Sequence, residues 1–193
     1  ITAGHCVHGY DGFVVEAPFV GVTANATHAA LLDWNNDSES VNPNQHDVAL
    51  IHLDRDVPVA QYAKVVTQRL AWGSNVRNVG RIDDGQASWS SLFIGKEVKA
   101  NNGANVGFPF DYVTSEIIQS GDSGGPVFKS GTHDLVAVNS GGGGGTQVLA
   151  RVDLVASWVT ETTAAWAAGN GGGTTEPPPP EPEDPCGGVT YEG

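Results

Sequence analysis

A chain of 193 residues can bury a hydrophobic core in one or two domains, which excludes a mini-protein held together by cross-links alone. A formal charge of −13 with only nine Lys and Arg excludes a nucleic-acid or anionic-membrane surface, because both need clustered positive charge. No apolar run approaches the length of a membrane span.

The first residues, Ile1 onward, carry no Met, charged leader or signal-type apolar stretch, so processing or truncation is expected to have removed what came before. From Gly12 to Val22, Phe13, Val14, Val15, Phe19, Val20 and Val22 are strand formers around Pro18, as in an edge or bulged strand. Asn25–Thr27 and Asn36–Ser38 fit the N-glycosylation pattern. A polar stretch from Asn35 to His46 gives way to Asp47-Val48-Ala49-Leu50-Ile51-His52-Leu53, a buried strand with a polar exit at Asp54-Arg55-Asp56. Val65–Thr67, Val76–Ile82, Leu92–Val98 and Tyr112–Ile118 are short strand candidates separated by Gly, Asn, Asp and Ser, the spacing of an all-β barrel or sandwich.

Leu135–Asn139 and Val148–Val152 flank the run Gly141–Gly145 and read as paired core strands. One helix is predicted, starting at Asp153 as N-cap, carrying Leu154, Val155, Trp158 and Val159 at helical spacing and ending by Gly169. Residues 169–185, rich in Gly, Pro and Glu, read as a linker that is flexible first and then extended and acidic. Residues 186–193 are too few to fold and read as the opening of a further domain. The two cysteines, Cys6 and Cys186, form no zinc-type cluster.

The chemistry-bearing stretch is Gly121-Asp122-Ser123-Gly124-Gly125-Pro126. It places a hydroxyl nucleophile between glycines, and the N–H groups of Gly121 and Ser123 could serve as oxyanion donors, although the same hexapeptide is ordinary turn chemistry. A serine needs a base. Of the six histidines, His5 stands in the distinctive setting Thr2-Ala3-Gly4-His5-Cys6, and Asp47 at the head of a buried strand has the right setting to orient an imidazole.

The motifs Thr-Ala-Gly-His-Cys, Asp-Val-Ala-Leu-Ile and Gly-Asp-Ser-Gly-Gly-Pro, in that order, resemble those of the trypsin/chymotrypsin-like serine proteases from Ile1 to about Ala168. The resemblance implies two antiparallel Greek-key β-barrels, the first incomplete, with a C-terminal helix. Residues 1–65 would be the remainder of the first barrel, 66–152 the second, and 153–168 the helix. It implies a secreted serine endopeptidase acting on polypeptides through an acyl-enzyme without metal or cofactor. Ser123 would be the nucleophile, His5 the general base and acid, Asp47 the orienting carboxylate, and Gly121 with Ser123 the oxyanion hole; this is the family whose triad is a general template.

By the same resemblance, Leu135–Gly141 lines the substrate cleft and Ser140 supports the aspartate, although a plain strand-end hydroxyl is an equal reading. Ile117 falls at the base of the specificity pocket, with Gly141 and Gly142 opposite it and Gln147 approaching from the next strand. An apolar base predicts small or apolar P1 residues rather than Lys or Arg.

Two departures from the family pattern stand out. Ile1 belongs to the strand entering His5 and is not the amine that zymogen cleavage releases to pair with the aspartate before the nucleophile, here Asp122. Asp122 is therefore expected to lack its partner, leaving these 193 residues poorly active. The usual partner of Cys6 is likewise missing, so the sequence reads as part of a longer, exported, disulfide-bearing protein with domains up- and downstream. The alternative to an enzyme is a catalytically silent binding or adhesion module of the same fold.

Overall fold

The computed structural model describes residues 1–36, 40–83 and 85–169. The linker beyond Gly169, Cys186 and its segment, and most of the Asn36–Ser38 triplet lie outside the described residues.

The N-terminal half is built on three antiparallel strands, β1 (Val14–Ala17), β2 (Val22–Leu31) and β3 (Ala49–Leu53), in the order β1-β2-β3. Pro18 fixes the break between β1 and β2, because it opens a 3-10 turn at Pro18–Val20 that ends on Gly21 at a φ of +67°. The expected segment Gly12–Val22 is thus two strand pieces with a turn. The long β2 escaped the sequence reading, since Thr23 to Ala30 alternates weakly and carries many small residues. Thr2 pairs with Ala49 through N–H···O bonds in both directions (3.0 and 2.8 Å), which lays the His5 segment beside the strand that begins just after Asp47.

The second half contains β4 (Lys64–Val65), β5 (Ser74–Gly80), a small hairpin of β6 (Ile82–Asp83) and β7 (Gln86–Ala87), β8 (Phe93–Ile94), β9 (Val98–Asn102), β10 (Asp111–Ser115), β11 (Pro126–Lys129), β12 (Asp134–Gly143) and β13 (Thr146–Arg151). Strand order β11-β12-β13-β10-β9-β5 closes on itself because β11 also pairs β5. Closure leaves a six-stranded antiparallel barrel without open edges in that ring. Its interior is filled by Val76, Val98, Tyr112, Val127, Val136 and Leu149. A second cluster joins the two halves: Ala3, Cys6 and Val48 meet Val138, Ala150 and Val152. Truncating a fully buried side chain such as Leu149 to Ala removes about 2–5 kcal/mol of stability by the usual cavity arithmetic.

Two expectations are corrected. The helix α1 runs Ala156–Ala167 with Val155 as its N-terminal flank and no side-chain cap. Asp153 is engaged elsewhere, accepting from Arg151 Nε (3.0 Å) and Nη2 (2.6 Å), and this buried ion pair removes it from capping. The glycine run is mostly strand: β12 continues through Gly143, and the turn falls on Gly144 and Gly145, both at positive φ.

Candidate active site

His5, Asp47 and Ser140 meet where the two halves touch. The backbone N–H of His5 donates to Asp47 Oδ1 at 2.8 Å, and His5 Nδ1 donates to Oδ2 at 2.8 Å. Ser140 Oγ donates to the same Oδ2 at 2.6 Å. Asp47 is 1% exposed, so its carboxylate is satisfied by protein donors rather than by water. With Nδ1 committed as donor, Nε2 of His5 carries the lone pair whenever the ring is neutral; it is buried and has no hydrogen-bond partner among the described residues. Trp34, tilted against the imidazole at a centroid distance of 6.2 Å and itself 3% exposed, backs the ring.

The loop bearing Ser123 sits against this corner. Gly124 packs on Thr2 and Ala3, where a Cβ would overlap Thr2 Oγ1, and Gly124 N–H donates to Asn139 O at 2.8 Å. β12 therefore supplies both the Ser140 hydroxyl for Asp47 and the carbonyl that anchors the nucleophile loop. No hydrogen bond joins Ser123 Oγ to His5 Nε2, a contact that in such sites often tightens only with substrate. The N–H of Asp122 closes a turn on Gln119 O at 2.9 Å, with Gly121 at its third position at a φ of +98°, the left-handed value a type II turn requires there. The N–H groups of Gly121 and Ser123 have no acceptor among the described residues.

Asp122 does not lack partners. Its Oδ1 accepts from the N–H of Arg81 (2.9 Å) and Ile82 (3.0 Å), and its Oδ2 from the N–H of Gln119 (3.0 Å), with the residue 6% exposed. Gly80 makes this possible: a side chain there would occupy the space of the carboxylate. Asp122 is thus held by backbone donors, none of them the cleavage-released amine that the resemblance pairs with it.

Around the anticipated pocket, Ile117 N–H and Ile118 N–H both donate to Gln147 Oε1 (2.8 and 2.9 Å). The Ile117 side chain reaches Gly95 and packs on the second-barrel core. Gly141 faces Val41, and the open face of Gly142 meets the carboxylate of Glu116, whose Oε2 accepts from Gly145 N–H at 2.9 Å. Sequence reading missed Trp34, Val41, Glu116 and Asn78, and took in Asn139 only as part of the cleft strand Leu135–Gly141. The two asparagines had a signal: each is a polar residue at a position whose strand alternation or apolar run calls for burial, and Asn78 is 4% and Asn139 0% exposed.

One further carboxyl lies close by. Asp111, 2% exposed, is pushed up to about 8 by burial, with the charge of Asp47 adding to the shift and Arg151 opposing it.

Residues 1–138 match the family described as the trypsin-like peptidase domain. The chain belongs to the trypsin-like peptidase family. Its fold resembles that of neuropsin, a serine protease of mouse brain (TM-score 0.66, 19% identity, covering 84% of this chain and 83% of that one). It also resembles human heparin binding protein (TM-score 0.66, 16% identity, covering 94% of this chain and 83% of that one). No curated protein matches the sequence. Among the described residues no helix of this family member is long and apolar enough to cross a membrane.

Proposed function

We propose that this trypsin-like peptidase is a secreted serine endopeptidase that cleaves polypeptides through an acyl-enzyme on Ser123. The observation that carries the reading is the geometry of His5: its Nδ1 is held by a carboxylate that is itself held by Ser140, and its buried Nε2 has no hydrogen-bond partner among the described residues. In this scheme Nε2 takes the Ser123 proton as the hydroxyl attacks the scissile carbonyl, then returns it to the leaving amine. Asp47 keeps the ring in the tautomer with Nδ1 protonated and stabilises the imidazolium. The N–H groups of Gly121 and Ser123 receive the oxyanion, and water releases the acyl group by the reverse sequence. The N–H cradle around Asp122 supports a nucleophile loop that keeps this shape without a separate amine.

The preference for small or apolar P1 residues rests on the resemblance that sets the aliphatic Ile117 and the side-chain-free Gly141 and Gly142 at the specificity pocket. The test is turnover of peptides differing only at P1, read for a pre-steady-state burst. Hydrolysis with a burst supports the acyl-enzyme; Ala, Val or Leu above Lys and Arg supports the pocket reading, whereas a Lys/Arg preference would assign the pocket to Glu116. Absence of any turnover overturns the enzyme reading in favour of a silent binding module. The likeness to heparin binding protein favours that second reading, but a chain at −13 is a poor receptor for a polyanion.

A further inference from the structure

The walls around the nucleophile loop contain three hydrogen-bonded side-chain amides from three different strands, Asn78 on β5, Asn139 on β12 and Gln147 on β13, and none is more than 4% exposed. They form one directional chain. Gln147 Oε1 accepts from the N–H groups of Ile117 and Ile118, which leaves its Nε2 to donate to Asn78 Oδ1 at 3.1 Å. Asn78 Nδ2 then donates to Asn139 Oδ1, and Asn139 Nδ2 donates to the carbonyls of Asp122 (3.0 Å) and Val79 (3.2 Å). Backbone donors fix one end and backbone acceptors fix the other, so the orientation of every amide between them is determined.

The far end of this chain touches the chemistry. Asp122 O belongs to the same peptide plane as Ser123 N–H, and in a planar trans peptide the two point in opposite directions. Two donors, Asn139 Nδ2 and Gly125 N–H (3.0 Å), hold that carbonyl, and they thereby set the direction of the Ser123 N–H. The near end hangs the segment 117–118, where the loop begins, from Gln147. A buried polar group is costly unless satisfied, so three amides in a barrel interior call for a role that apolar side chains would not fill.

We propose that Asn139, supported through Asn78 and Gln147, is a positioning residue that aims the Ser123 N–H into the oxyanion site; this rests on the serine-peptidase reading above. The amide nitrogen is the indispensable atom. Asn139→Asp keeps shape and still accepts from Asn78, but presents an oxygen to the carbonyls of Asp122 and Val79. Gln147→Glu keeps the bonds to Ile117 and Ile118 and removes the donor to Asn78.

The test measures kcat per titrated active site, KM, and hydrogen exchange over residues 117–123 for the wild type and both variants. Asn139→Asp is expected to lower kcat about 10–100-fold, short of the ~10²–10³ for loss of a whole oxyanion donor, with KM within about threefold. Gln147→Glu is expected to lower it less, and exchange over 117–123 to rise in both. Should Asn139→Asp fail to fold, the triple change Asn78→Val, Asn139→Val, Gln147→Leu decides, because it removes the side-chain partners together and leaves no amide side chain unpaired. A folded triple variant with kcat lowered at least tenfold supports the proposal. Folded variants with kcat within twofold of wild type and unchanged exchange overturn it. If the wild type has no turnover, the peptidase reading fails on its own, and the exchange data alone decide whether the amide chain holds the loop.

Discussion

Among the described residues two histidine–aspartate pairs share nearly the same local geometry in opposite surroundings. In the first, Asp47 takes the N–H of His5 on one oxygen and its Nδ1 on the other; in the second, Asp33 takes the N–H of His46 (2.8 Å) and its Nδ1 (2.7 Å) in the same way. Their carboxylates differ: the side chain of Asp47 is 1% exposed and that of Asp33 39%. Asp47 has a third donor in Ser140, while His46 lies on Phe110 with ring centroids 4.2 Å apart. A bidentate His–Asp contact is thus no catalytic signature by itself. What separates the two pairs is removal from water, which strengthens the electrostatic hold on the ring and makes each remaining partner matter.

The sharpest way to break the comparison is to change each aspartate to asparagine. Asp47→Asn leaves the shape and removes the acceptor that fixes the His5 tautomer; peptide turnover is expected to fall on the order of 10⁴-fold, the magnitude of the general triad template. Next in size is Asp111→Asn. Because the folded-state pKa of Asp111 is about 8, above its unfolded value, the folded protein holds a proton that the unfolded chain gives up first. Stability from this group is therefore full at acid pH and declines as pH rises from about 4 to about 8, by ~1.4 kcal/mol per unit at most. Denaturant unfolding should show the variant losing that slope and gaining on the wild type toward pH 8. An unchanged slope would mean Asp111 does not titrate in that window.

Ser140→Ala withdraws one donor from Asp47 and leaves the other two. A cost of about 1–2 kcal/mol in transition-state stabilisation is expected, roughly a tenfold fall in kcat/KM. Smallest of all, Asp33→Asn breaks the exposed pair and should leave kcat/KM within about twofold and stability within ~1 kcal/mol, measured by the same assays. A large loss from Asp33→Asn with a small one from Asp47→Asn would invert the account.

The His5–Asp47 contact of the candidate site was legible in the sequence, because the candidate residues lie in short contiguous motifs whose composition is unusual. His5 among small residues, Asp47 at the head of an apolar run and Ser123 between glycines each declared itself locally. The fold class followed from the same resemblance and from the short, evenly spaced strands. What escaped was non-local. Asn78 and Asn139 lie 61 positions apart in sequence and meet only because β5 and β12 both pair β11 in the barrel. Likewise the N–H cradle of Asp122 is assembled from backbone at 81–82 and 119, and backbone groups leave no trace in residue type beyond the glycine that admits them. Asp153 misled for a related reason: a residue suited to capping was claimed by an ion pair two positions away in sequence.

The most direct test of the central claim is reaction of the protein with a fluorophosphonate, followed by mass mapping of the adduct. The account predicts a single stoichiometric adduct on Ser123, absent in Ser123→Ala and abolished or strongly slowed in His5→Ala, while His46→Ala labels like the wild type. No adduct on Ser123, or labelling that does not depend on His5, would contradict it.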